Sequence, residues 1–113
     1  MVLHKDQLKT EVRVGMRGGP GQAVMTNLCD ELPKNCRVAS VIHLEPGHGI
    51  GYHEHHGETE LYYILTGSGV VNDNGAPVQV SAGDSIITGG GAGHDITNTG
   101  EKPLDMVAVV ITE

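Results

Sequence analysis

The chain has 113 residues, enough for one small domain, and its formal net charge of −7 argues against nucleic acid or an anionic membrane as a partner of the surface as a whole. It has no Phe and no Trp, so Val, Ile and Leu must fill the core, while glycine accounts for 17 residues. Many glycines between short β-branched runs are typical of strands joined by tight turns.

The first third of the chain predicts two strands after a polar start. Residues 1–11 have at most a short strand or a turn of helix and lack the apolar run of a signal peptide, so we expect a cytoplasmic protein. Residues 17–21 are a loop by their glycine and proline content, and residues 23–28 are a candidate strand. In residues 37–45 both alternating faces are apolar, which predicts a strand packed between two layers.

The two cysteines, Cys29 and Cys36, do not form a Cys-x-x-Cys pair, and no further cysteine exists to complete a thiolate metal site. Two reduced thiols near a loop are the preferred interpretation. A disulfide across Pro33 stays open as the alternative.

The rest of the chain predicts short strands separated by turns. Asn74-Gly75 is the clearest two-residue hairpin signal. The predicted strands lie around residues 53–55 and at residues 60–66, 69–73, 76–80, 85–88, 94–98 and 104–111. The longest apolar run, residues 106–111, is far shorter than the ~20 residues of a membrane-spanning helix. About eight short strands without a helical period suit an all-β jelly-roll barrel.

One stretch, residues 47–67, carries the chemistry. His53 and His55 are two residues apart, so on a strand both imidazoles point to the same face. Glu60 follows across Gly57, which is free to turn the chain sharply. A strand, a turn and a second strand can therefore bring two imidazoles and a carboxylate together, as a divalent transition metal requires.

The spacing of this stretch resembles the first motif of the cupin superfamily. Its members are Gly47, His53, His55, Glu60 and Gly67. Residues 83–98 resemble the second cupin motif through Gly83, Gly91, His94 and Asn98, although the proline usual in that motif is replaced by Gly89. The resemblance covers most of the chain and implies one cupin domain over residues 1–113, with a jelly-roll (double-stranded β-helix) barrel.

The resemblance also implies a metal site. Its four ligands would be His53, His55, Glu60 and His94. Cupins use Mn or Fe most often, and Zn, Ni and Cu are also found, so the sequence does not choose the metal. Three neutral imidazoles and one carboxylate around a divalent ion leave a net charge of +1, which favours an anionic or chelating oxygen ligand. The other histidines, His4, His43, His48 and His56, are not expected to be ligands.

Three residues are candidates for a catalytic role beside the metal. Tyr62 has the same strand parity as Glu60 and so faces the interior, where a packed core role is the alternative. Glu58 lies in the turn before Glu60, and solvation is its simplest interpretation. Arg17 lies in the glycine-rich loop and, like Arg13 and Arg37, carries a guanidinium group that could clamp an anion.

Together these features predict a metal-dependent enzyme acting on a small oxygenated, anionic molecule. By resemblance it would be a decarboxylase, a dioxygenase or an isomerase, similar to the oxalate-decarboxylase-like cupins. The sequence offers no unambiguous general acid or base. The alternative is a metal-dependent binding or sensing module without turnover. Open sheet edges and the apolar last strand also predict a homodimer.

Overall fold

The computed structural model describes residues 1–113 and contains ten β-strands. In chain order they are β1 (Thr10–Val14), β2 (Gln22–Asn27), β3 (Cys36–Leu44), β4 (Gly49–Glu54), β5 (Glu58–Thr66), β6 (Ser68–Asp73), β7 (Ala76–Ser81), β8 (Ser85–Gly89), β9 (Gly93–Thr97) and β10 (Leu104–Thr112). The helical segments are single 3₁₀ turns at Lys5–Gln7 and Met16–Gly18. Neither has the length or the apolar character needed to cross a membrane.

The strands form two antiparallel sheets. One has six strands in the order β1-β2-β3-β10-β5-β8, and the other has four in the order β4-β9-β6-β7. Non-consecutive strands are neighbours in both sheets, as in a jelly roll, so chain segments far apart in sequence are brought together. The expected all-β barrel is confirmed.

The core lies between the two sheets and is aliphatic. Its members include Ile42, Leu44, Ile64, Ile96 and Met106, each at most 2% exposed. Tyr62 is the one aromatic side chain among them. Branched aliphatic side chains therefore fill the core in place of Phe and Trp, as the composition predicts, and methionine adds to them.

Strand β3 differs from its prediction. Ser40, Ile42 and Leu44 are buried, whereas Val41 and His43 on the opposite face are only half-buried. Only one face of β3 therefore packs against another layer of the chain. The apolar residues of the outer face kept the sequence pattern from showing the alternation of a half-exposed strand.

The predicted hairpin is present. Asp73 pairs with Ala76 across the turn, and the two residues between them have φ angles of 49° at Asn74 and 101° at Gly75. Positive φ at both central positions is the requirement of the type I′ turn that Asn-Gly favours.

Two strands extend beyond the segments predicted for them. β1 covers Thr10–Val14, and all five residues are exposed, although Val12 and Val14 alternate with Glu11 and Arg13. Pairing with β2 holds it at the edge of the sheet. β4 begins at Gly49, four residues before the strand predicted around residues 53–55. A Cβ atom at Gly51 would lie 2.0 Å from the carbonyl oxygen of Arg17, so glycine here permits a close approach of the Arg17 loop.

Candidate metal centre

Both sheets contribute to one cluster of four side chains. His53 on β4 is directly opposite His94 on β9 in the four-stranded sheet. His55 follows immediately after β4, and its backbone N–H donates to the carbonyl of Ala92. Glu60 lies on β5 of the six-stranded sheet, so the cluster bridges the two layers.

The ligand atoms of the cluster converge closely. The Nε2 atoms of His55 and His94 are 3.0 Å apart, and those of His94 and His53 are 3.1 Å apart. Glu60 Oε1 lies 3.0 Å from Nε2 of both His55 and His94 and 3.8 Å from that of His53. One ligand atom from each residue lies within 4.8 Å of the others. The four side chains are at most 9% exposed.

The opposite nitrogen of each imidazole is engaged elsewhere. His53 Nδ1 lies 2.8 Å from the carbonyl oxygen of Gly51, and His55 Nδ1 lies 2.5 Å from Glu58 Oε2. Both partners can only accept, so both Nδ1 atoms carry the proton. His94 Nδ1 lies 3.0 Å from the Thr88 hydroxyl, which can also accept. All three neutral rings then turn an unprotonated Nε2 towards the same point.

This arrangement fits a divalent metal ion and is unfavourable without a cation. Three nitrogen lone pairs and a carboxylate oxygen face one another, and Glu60 Oε1 is a buried oxygen with no hydrogen-bond donor. Ligands ~2.1 Å from a shared ion lie ~3 Å apart at right angles, which matches the four separations of 3.0 to 3.1 Å. His53, His55, Glu60 and His94 could therefore bind one divalent metal.

The carboxylates at the site are ionised at neutral pH. Burial of Glu60 opposes its charge, but the neighbouring imidazoles of His53, His94 and His55 outweigh burial and lower its pKa to about 2. The ion pair with Arg37 is the main cause that lowers the pKa of Glu58 to about 2, and burial opposes it. Glu60 can therefore supply its negative charge to a bound cation.

A chamber of about 40 Å³ adjoins the cluster. Tyr62 lines it, as the strand parity predicts, and its ring stacks on His94 with centroids 4.9 Å apart and planes 9° apart. Burial, together with the charge of Glu60, raises the pKa of Tyr62 well above its usual 10, so the hydroxyl keeps its proton. Tyr62 is thus both a core residue and a hydrogen-bond donor beside the site.

The three arginines predicted as anion clamps differ in their partners. Arg13 pairs with Glu11 at 3.0 Å, and Arg37 pairs with Glu58 at 2.7 Å. Arg17 lines the chamber, has no carboxylate within ion-pair distance and takes a left-handed backbone conformation at φ 54°. It is the one arginine of the three that is free to meet a ligand.

Glu58 and the remaining histidines lie outside the chamber. Glu58 begins β5 and is held by His55 and Arg37 instead of being solvated. His48 Nδ1 accepts from the backbone N–H of Gln22. The other histidines also lie away from the cluster: His43 contacts Asp105, His56 contacts Glu54 and His4 precedes the first 3₁₀ turn.

Sequence reasoning missed the acceptors behind the imidazoles. The carbonyl of Gly51 and the hydroxyl of Thr88 had no motif to mark them. Thr88 is directly opposite Glu60 in the pairing of β5 with β8, so the strand register would have pointed to it. Cys29 and Cys36 are free, in agreement with the preferred reading of two thiols.

Residues 40–110 match the family model of the cupin domain. This chain belongs to the cupin family. It is 40% identical over 113 residues to an oxalate-binding protein of Thermotoga maritima, covering 98% of this chain and 93% of that protein. It also resembles the crystal structure of a predicted oxalate decarboxylase from Thermotoga maritima, with a TM-score of 0.92, 40% identity and full coverage of both chains.

A more distant cupin-fold likeness is to a putative sugar phosphate isomerase from Acidithiobacillus ferrooxidans. The TM-score is 0.81 at 24% identity, over 99% of this chain and 75% of that one. At that identity the likeness extends to the fold alone. The cupin barrel is thus shared widely, and the chemistry has to be argued from the site.

Proposed function

We propose that this cupin binds oxalate, or a closely related small carboxylic acid, at a divalent metal held by His53, His55, Glu60 and His94. One observation carries the proposal: three imidazole nitrogens and an unpartnered carboxylate oxygen converge beside a small chamber. The 40% identity to an oxalate-binding protein supports the choice of ligand.

The size of the chamber limits the ligand. Its volume is about 40 Å³, and a cavity needs ~10–15 Å³ on this measure to hold one water. About three waters' worth of space suits an acid of two or three carbons. Sugars and aromatic acids are too large to enter without displacing side chains.

Charge favours an anion in this chamber. The proposed ligand set with a divalent ion has a net charge of +1, and Arg17 adds an unpaired guanidinium at the wall. Arg17 would donate hydrogen bonds to the carboxylate oxygens of the acid that face away from the cluster, because its planar guanidinium group matches a carboxylate. The Tyr62 hydroxyl would donate a second hydrogen bond to the acid.

The mixed nitrogen and oxygen ligand set supports Mn or Fe as the resident metal. When bound, the metal would supply a cationic anchor and Lewis-acid polarisation of the acid. The chain's own residues would bind the acid, orient it and exclude bulk water from it.

Binding without turnover is the first candidate activity. A decarboxylase needs a group to deliver a proton near the reacting carbon. Glu58 is held by Arg37 and His55, and Glu60 faces the proposed metal. The neutral proton donor that remains at the chamber is Tyr62. Turnover by decarboxylation or dioxygenation is the second candidate, supported by the full-length likeness to a predicted oxalate decarboxylase.

The test combines elemental analysis with titration calorimetry. Metal-free protein is loaded with Mn(II), or with Fe(II) under anaerobic conditions, and titrated with oxalate, glycolate, formate and succinate. Oxalate should bind only the loaded protein and more tightly than succinate. Assay of formate and carbon dioxide then separates binding from turnover. Failure of the loaded protein to bind any small acid would refute the proposed function.

We further propose a cytoplasmic homodimer. An outward apolar stripe crosses the six-stranded sheet, where Leu61 pairs with both Ile87 and Val109. Ile87 is 68% exposed and Leu61 is 37% exposed, which is costly for a face that meets water. Ile87→Asp should give a monomer in light-scattering chromatography if this stripe forms the interface.

The two free cysteines support the proposed cytoplasmic location, because thiols stay reduced in that compartment.

A further inference from the structure

A chain of hydrogen bonds leads away from the metal centre to the rim of the site. Arg37 donates from Nε to Glu58 Oε1 at 2.9 Å and from Nη2 to Glu58 Oε2 at 2.7 Å. Glu58 Oε2 in turn accepts from His55 Nδ1 at 2.5 Å. The guanidinium thus holds the carboxylate in a two-bond fork, and the carboxylate holds the imidazole.

Glu58 contacts the cluster through His55. Its side chain is 15% exposed, and it lies behind the His55 ring instead of lining the chamber. It cannot touch a ligand in the chamber, and its contact with the cluster passes through the Nδ1 side of His55. Arg37 is on β3, whereas Glu58 begins β5, so the contact also ties two strands to the segment after β4.

The three imidazoles differ in what lies behind them. His53 has a neutral backbone carbonyl, and His94 has a neutral hydroxyl. Only His55 has a carboxylate, that of Glu58, as the partner of its Nδ1. A charged acceptor gives the shorter and stronger hydrogen bond and makes the opposite nitrogen a better electron donor to a cation.

We propose that Glu58 is a positioning residue of the metal centre, held in place by Arg37, and that this pair makes His55 the strongest imidazole ligand. The carboxylate fixes the Nδ1–H tautomer of His55 and aims its Nε2 at the cluster. Nε and Nη2 of Arg37 both donate to Glu58, so the role of Arg37 differs from that of the unpaired Arg17. This inference rests on the proposed metal site.

The first test measures affinity for Mn(II) by competition with a chromogenic chelator. Glu58→Gln should lower the affinity by ~10–100-fold, the usual effect of losing a carboxylate behind a histidine ligand. Arg37→Met should give a smaller loss, and Arg37→Lys should recover part of it by bonding one carboxylate oxygen. Glu45→Gln is the matched control, because Glu45 also contacts a histidine ring, but that ring, His43, lies away from the cluster. Its affinity for Mn(II) should stay within about twofold of the parent, because Glu45 contacts none of the four proposed metal-binding side chains.

The second test needs no metal. Long-range nitrogen–proton NMR of the metal-free protein should show His55 as the Nδ1–H tautomer with a strongly deshielded proton. That signal should vanish in Glu58→Gln, move in Arg37→Met and persist in Glu45→Gln. Circular dichroism and thermal melting show whether each variant is folded, and Arg37→Met keeps the test decisive if Glu58→Gln does not fold.

The outcomes separate this inference from the proposed function. Parent protein that binds no Mn(II) would refute the proposed metal site, and the NMR signal would still judge the His55–Glu58 contact. Parent protein that binds Mn(II) no better than Glu58→Gln would overturn the role of Glu58. Arg37→Met with full affinity and an unchanged signal would overturn the role of Arg37.

Discussion

Replacement of Arg17 separates the stability of the fold from its affinity for an acid. Arg17 has φ 54° and ψ 27°, a left-handed conformation that costs a non-glycine residue ~1–3 kcal/mol. Its side chain has no carboxylate partner in the chain and is exposed, so nothing local offsets that cost. A strained backbone that is kept at the wall of the chamber, with an unpaired guanidinium on it, supports a role for Arg17 in binding an anion.

The magnitudes follow from these two features. Arg17→Gly relieves the strain but adds ~0.5–1 kcal/mol of unfolded-chain entropy, which leaves a gain of ~1 kcal/mol. For a chain of this size that gain raises Tm by ~4–8 °C. Arg17→Ala keeps the strain, so its Tm should not rise. Both variants should lose the proposed charge-assisted hydrogen bond to the acid, at a cost of ~1.5–3 kcal/mol, or ~10–150-fold in Kd.

The assay pairs thermal melting of metal-free protein with calorimetric titration of Mn(II)-loaded protein by oxalate. Lys34→Ala serves as the control, because it removes an equal charge from an exposed side chain that does not line the chamber, and it should bind oxalate nearly as the parent does. Parent-like affinity in both Arg17 variants would refute contact between the guanidinium and the acid. A lower Tm in Arg17→Gly would refute the argument from strain.

The remaining predictions concern the metal, the glycine contact and pH. Glu60→Gln should sharply reduce the Mn(II) content measured by elemental analysis, because it removes the one anionic ligand. In denaturant titrations, Mn(II) at ~100 times its Kd should raise the free energy of unfolding of the parent by ~2.7 kcal/mol. Gly51→Ala should destabilise by ~1–3 kcal/mol and weaken oxalate binding, because its Cβ would lie 2.0 Å from the Arg17 carbonyl oxygen; unchanged melting would contradict that contact. The hydrogen bond with Glu45 is the main cause that raises the pKa of His43 above 6.5. The stability that this interaction contributes is therefore complete below pH ~6.5 and is lost as pH rises through the raised folded-state pKa. The advantage of the parent over His43→Gln in urea should accordingly shrink as pH rises above ~6.5.

Strand parity and turn chemistry made much of this architecture predictable. A period of two places His53 and His55 on one face, and a glycine turn brings Glu60 back towards them. His94 came only from the resemblance to the second cupin motif, since no local pattern ties it to residues 34 to 41 positions earlier. β1 was not predicted as a full strand although Val12 and Val14 alternate with Glu11 and Arg13; all five of its residues are exposed, and pairing with β2 holds it in the sheet.

The acceptors behind the imidazoles show where sequence reasoning stops. Parity says which way a side chain points, but the identity of its neighbour across the sheet depends on register. Thr88 reaches His94 because β8 pairs with β5 in a register that sets Thr88 opposite Glu60, and Arg37 reaches Glu58 because β3 and β5 both flank β10. A shift of one residue in either pairing would turn these side chains to the other face of the sheet. The motif therefore specifies which atoms meet the cation, while the register of the barrel decides which atoms hold them there.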